Sequence, residues 1–261
     1  MRGVSFDKKI KNPSLYSLIM RTANPTLSEK VFTGFARVHG HEAMSIDGTV
    51  NKTAILLFLV ILPAFWVFTL PLEYAGLFSI GGAIGGLVFA LITIFKKEWA
   101  MYTAPAYAVL EGLFMGGISA YFESMYPGIV WQAVLITFGI LAGLLLVYKS
   151  GWIPVTENFR LGVFAATAGI ALIYLASFIL SFFGIAIPMI HEGGLVGILF
   201  SVFVIIVASL NLVLDFDFIE KGAEHGAPKF MEWYAAFGLL ITLVWLYVEV
   251  LRLLSKMRSS K

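Results

Sequence analysis

From Ala54 to Leu254 the sequence alternates long apolar runs with short polar or Gly- and Pro-bearing turns. Each run has about the 20 residues that cross a bilayer's hydrocarbon at roughly 1.5 Å per helical residue. Seven are predicted, over residues 54–72, 75–95, 103–123, 128–148, 161–183, 195–217 and 232–254. Backbone polar groups find no water in lipid, so each run is expected to be a helix. The fold class read from this pattern is an all-α membrane protein, a bundle of seven transmembrane helices.

Composition agrees: 59% of residues are hydrophobic and 13% charged, against about a quarter charged in a soluble domain. There is no Cys, which excludes disulfides, thiolate metal sites and Cys nucleophiles. A net charge of +2 gives no reason to expect a nucleic-acid partner. Residues 1–52 read as a polar, partly disordered arm whose basic side chains rest on anionic head groups, 53–254 as the membrane domain, and 255–261 as a basic tail. No apolar core of the signal-peptide type lies near Met1, so no cleaved signal is expected.

Charge orients the bundle. Alternating the loops between two sides puts eight Lys and Arg of the arm on one side with Lys96, Lys97, Lys149, Arg160, Lys221 and Lys229, fourteen in all, against Arg252, Lys256, Arg258 and Lys261 on the other. The positive-inside rule then places the amino terminus in the cytoplasm. The basic tail is discordant, and a re-entrant last segment would return it to the arm side.

Small residues mark where helices can approach: Gly81, Gly82, Gly85 and Gly86 in the second run, Gly112 and Gly116 in the third, Gly139 and Gly143 in the fourth. Ionisable residues inside a span are functional candidates because they are costly there. Glu111 sits near the middle of the third run, Asp215 and Asp217 at the arm-side end of the sixth, Glu232 at the start of the seventh and Glu249 near its far end. Asn211 lies one helical turn before Asp215 on the same face. No Lys or Arg falls in the interior of a predicted run, Arg252 standing at the end of the seventh, so no intramembrane countercharge is expected. Asp217 is read as facing the interface and pairing with Lys221 at helical spacing. Asp215 and Glu232, on one side of the membrane, form a candidate proton-sharing pair. Glu249 is read as a surface partner of Arg252. The four His residues do not cluster in the sequence, and no metal site or cofactor is expected.

These acids lie in blocks that resemble the Bax inhibitor-1 family, in its bacterial YccA-like branch: NPTL at Asn24, MSIDGTVNKTA from Met44, EGLFMGG from Glu111, YPGIVWQAVLITF from Tyr126, LNLVLDFDFIEKG from Leu210, and APKFMEWYAAFGLLITLVWLYVEVLRLL from Ala227. The resemblance implies a seven-helix bundle with the last helix central, and a pH-sensitive calcium leak. It also implies association with a membrane protease in some bacterial relatives. The family's pH sensor is an aspartate pair. Asp215-Phe216 matches the first member; the second falls on Thr242, or on Gly238 one turn away, and is missing, so Glu232 is the substitute candidate. Glu111 corresponds to an acid of the family's third-helix motif.

Two functions follow. One is proton-regulated permeation of calcium or protons, with Glu111 lining the path and Asp215, Asn211 and Glu232 gating it; Asp217 and Glu249 are secondary candidates. The other is a non-transport accessory protein that binds a membrane protease or another membrane partner through its arm. No catalytic activity is expected: G-x-G-D, H-E-x-x-H and G-x-S-x-G are absent, as is a phosphate-cradling loop. Nor is there a Lys between Glu232 and Leu254 to carry a retinal Schiff base.

Overall fold

A computed structural model describes residues 42–184 and 194–259. Residues 1–41 of the arm, with NPTL, His39 and His41, lie outside the described residues, as does His191. Among the described residues seven α-helices follow one another: α1 Ile46–Phe68, α2 Leu72–Phe95, α3 Ala100–Met125, α4 Ile129–Lys149, α5 Glu157–Ser181, α6 Leu195–Glu224 and α7 Met231–Ser259. A 3₁₀ turn, Lys97–Trp99, precedes α3.

Every predicted run is a helix, but six of the seven are long and apolar enough to cross a membrane by length and composition. The other is α3. It contains Pro105, Glu111 and four glycine and serine positions that are buried: Gly112, Gly116, Gly117 and Ser119. A helix whose faces meet other helices has less need of apolar side chains than one facing lipid.

Three boundaries differ from expectation. Residues 46–52, read as arm, form the first turns of α1, because Ser45 caps them by accepting the Gly48 N–H at 3.0 Å. The sixth helix continues through Glu224 instead of ending at 217, and α7 continues through Ser259, so the basic tail is helical up to that residue.

Glycine sets the packing of α3 against α1 and α2. A Cβ on Gly82 would lie 2.5 Å from the Leu110 carbonyl, and one on Gly116 2.5 Å from the Ala64 carbonyl. Gly139 and Gly143 of α4, in contrast, face nothing within 4 Å, as does Gly81. Of the small residues marked in the sequence, Gly82, Gly85 and Gly86 of α2 and Gly112 and Gly116 of α3 meet a neighbouring helix, and those of α4 do not.

The last helix is the most enclosed: 67% of its most apolar window is buried, against 44% for α6 and 17–22% for α1, α2, α4 and α5. It packs against α1, α3, α4 and α6, and contributes Tyr234, Phe237, Leu240, Leu243, Leu246 and Val250 to the core. Phe58, Phe65, Leu77, Leu135 and Leu172 point outward from the peripheral helices, each more than half exposed. Such faces suit hydrocarbon.

Helix termini gather at two ends. At the arm end Met44 N–H bonds the Ala227 carbonyl at 2.6 Å, Lys97 stands 5.8 Å over the Tyr234 ring, and Arg160 meets Asp217. At the far end Arg258 donates to the Pro127 carbonyl at 2.8 Å, and Lys256 to the Gly197 carbonyl at 3.1 Å. Residues 255–259 therefore lie with the α3–α4 turn and the start of α6, at the other end of α7 from Met44.

Candidate functional site

Glu232 opens α7 and is fully buried, yet it is charge-matched. Lys52 of α1 reaches Oε2 at 2.6 Å and Lys229, one turn earlier, reaches Oε1 at 2.8 Å. The Ser45 N–H and Oγ both donate to Oε1, at 3.0 and 2.9 Å. The serine that caps α1 thus also holds the acid that begins α7. Gly48 makes this possible: an ideal Cβ there would stand 2.5 Å from Oε2 and closer still to Oε1. Around the carboxylate the chain segments are stitched by Met44 N–H to Ala227 O and by Lys229 N–H to Glu42 O at 2.8 Å. Glu232 is therefore a clasp between the start of α1 and the α6–α7 turn. Ser45, Lys52 and Lys229 are the partners that hold its carboxylate. Asp215 lies about 14 Å along α6 from its arm-side end at roughly 1.5 Å per residue, much deeper than Glu232. Beside the clasp, partial burial holds the Lys97 ammonium below its ordinary range, while neighbouring Glu98 pulls the other way.

Asp215 has no exposed surface. One turn before it, Asn211 donates to Thr167 Oγ1 of α5 at 2.8 Å and to the Val207 carbonyl at 2.9 Å, so its amide links α6 to α5. Asp217, expected at the interface, is also buried: Arg160 Nη2 lies 2.7 Å from Oδ2, and Lys221 completes the expected helical pair at 3.3 Å. Arg160 occupies the first turn of α5 and is 1% exposed. Arg160 lies one residue before the predicted fifth run, yet supplies a buried countercharge, because a guanidinium in the first turn of α5 reaches the acid of its neighbour. Glu220 is engaged as well, by the Tyr148 hydroxyl.

Glu111 is buried in α3, about 17 Å from the helix's first residue at roughly 1.5 Å per residue. Its Oε2 lies 3.2 Å from where a Gly86 Cβ would stand, so the carboxyl faces α2 across a glycine. Tyr107, one turn earlier, meets Phe237 of α7 edge-on at 5.0 Å. Glu249 does pair with Arg252, at 2.9 Å, but it is 1% exposed and also accepts the Tyr174 hydroxyl at 2.8 Å. It is an inward acid rather than a surface one. Thr242, where the family's second aspartate was expected, is buried, and its hydroxyl lies 3.3 Å from the Gly238 carbonyl. Among the described residues no three acid or His side chains converge as a metal site.

Ser45, Lys52, Arg160 and Tyr174 hold these acids without standing out as site residues in the sequence. Only Ser45 carried a local signal, as a helix-capping residue three before Gly48. A sequence model of the family described as Bax inhibitor 1 like matches residues 24–259. No curated protein matches the chain.

Proposed function

Since the chain belongs to the family of Bax inhibitor 1 like proteins, we propose that it is a passive, non-enzymatic cation leak of a bacterial inner membrane, regulated by protonation. Within the family its blocks resemble the bacterial YccA-like branch. The observation that carries the reading is Asp215, a carboxyl with 0% exposure deep in the arm-side half of α6, where a change of protonation is a change of buried charge. Calcium is the ion that hard carboxylate and carbonyl oxygens suit, with protons as the regulator. Glu111 lines the path and Asp215 gates its arm-side mouth. Glu232 acts differently from the sequence expectation: it fixes α1 to α7 and so holds the mouth's frame.

In this reading all seven helices cross, α3 included, with α7 at the centre and the arm end in the cytoplasm. Support comes from the gathering of termini at two ends, the burial of α7, and fourteen basic residues on one side against four on the other. The test is flux of calcium into liposomes bearing purified protein. Glu111→Gln lowers flux and leaves thermal stability nearly intact, while Glu98→Gln, at an exposed turn, changes neither; normal flux in Glu111→Gln removes the path role.

A second reading, an accessory protein docking a membrane protease through the arm, draws on the stitching of residues 42–45 to the α6–α7 turn, through which a bound partner would act on the bundle. Deletion of residues 1–41 separates the two. It spares the clasp, so flux persists if the chain is a leak, and partner binding is lost if the arm is the dock.

A further inference from the structure

At the far end a cavity of about 400 Å³ opens between α3, α5 and α7, away from the acids of the arm end. Tyr126, Tyr174, Arg252, Ser255, Lys256 and Ser259 form most of its polar wall. The α7 members recur at spacings of three and four, so they share one face of that helix.

Charge in this wall is positive. Arg252 and Lys256 stand against one acid, Glu249, which is 1% exposed and lies behind them. Arg252 uses Nη1 for Glu249 and lays its guanidinium 5.1 Å over Tyr174, which fixes the group's plane while 40% of the side chain remains exposed. A guanidinium has five N–H donors in a fixed fork that matches phosphate oxygens. The two serines donate to backbone carbonyls one turn earlier, at 2.9 and 3.1 Å, and keep the wall polar. Beside this wall Tyr121 and Met125, which also line the cavity, are each 51% exposed at the end of α3. Tyr and Met at a helix end beside a basic pocket match the boundary between acyl chains and head groups.

We propose that this cavity binds the phosphodiester headgroup of an anionic phospholipid, with Arg252 pairing with the phosphate, Lys256 adding to the positive field, and Tyr121 and Met125 flanking the acyl chains. The site is independent of the permeation reading. It also gives the basic end of α7, which runs against the positive-inside rule, a partner in the leaflet at the far end.

The test is thermal unfolding of the purified full chain in neutral detergent, titrated with phosphatidylglycerol, phosphatidylcholine or soluble glycerol phosphate. Phosphatidylglycerol raises the melting temperature of the wild type more than phosphatidylcholine does. Its half-effect concentration rises about tenfold or more in Arg252→Gln, the loss of one charge-assisted contact. Ser255→Glu, which adds a negative charge to the wall and removes no structural cation, gives the same direction and decides the matter if Arg252→Gln does not fold. Half-effect concentrations unchanged in the folded variants, or equal effects of the two lipids, overturn the site. Equal stabilisation by glycerol phosphate overturns the assignment to a lipid.

Discussion

Gly48 shows how one missing side chain sets a buried charge. The Glu232 carboxylate occupies the volume a Cβ would take, and that position lets Ser45, Lys52 and Lys229 reach it together. Gly48→Ala is therefore expected to destabilise the protein by about 1–3 kcal/mol, the usual cost of overpacking. Gly143→Ala, which meets open space, is expected to cost nothing measurable. Thermal unfolding of both in detergent checks this, and equal melting temperatures would remove the clasp. The acids themselves were legible in the sequence, because a carboxylate within an apolar run is rare enough to mark. Their partners were not. Ser45 and Glu232 are 187 residues apart, Arg160 and Asp217 57, Tyr174 and Glu249 75, and only the fold brings them together. Glu249 and Arg252 were foreseeable as a pair because helical spacing alone makes them neighbours; the burial of Glu249 was not, since it depends on Tyr174 of another helix.

At the scale of elements, α5 is held to α6 by apolar packing, Val163 on Leu214 and Ile170 on Val204 and Val207, and by polar contacts along its length. Arg160 bonds Asp217 of α6, Thr167 receives Asn211 of α6, and Tyr174 donates to Glu249 of α7. Removing Arg160 takes the nearer cation from Asp217 and leaves Lys221 at 3.3 Å, so the loss stays below the roughly 3–5 kcal/mol of a buried charge left unpaired, at about 1–3 kcal/mol. Arg160→Met is expected to cost that order, and Arg160→Met with Asp217→Leu to recover a large part of it. Thermal unfolding of single and double variants gives the coupling, and strict additivity would mean that the pair does not hold α5. Helix positions were legible from apolar runs because lipid demands them. Helix ends were less so. The polar stretch from Asp217 to Glu224 reads as a loop by hydropathy, yet it stays helical where Arg160, Lys221 and Tyr148 engage its acids. The α3 helix falls short in apolarity for the opposite reason, since glycines and Glu111 face its neighbours instead of lipid.

For the whole molecule, the charge asymmetry between its two ends predicts an orientation that labelling can read. The absence of Cys makes single-cysteine labelling direct. Glu98→Cys and Ser124→Cys sit in exposed positions at opposite ends. In intact cells an impermeant thiol reagent is expected to label Ser124→Cys and to reach Glu98→Cys only after lysis; the reverse pattern would invert the bundle. The central claim is that protonation of Asp215 controls a cation leak, and it is tested most directly by calcium flux through wild type and Asp215→Asn in liposomes at two pH values. Asn keeps the shape of the side chain and loses its titrating proton. Flux through the wild type is expected to change with pH, and flux through Asp215→Asn to persist with that dependence flattened; a pH profile unchanged by the substitution would contradict control by Asp215.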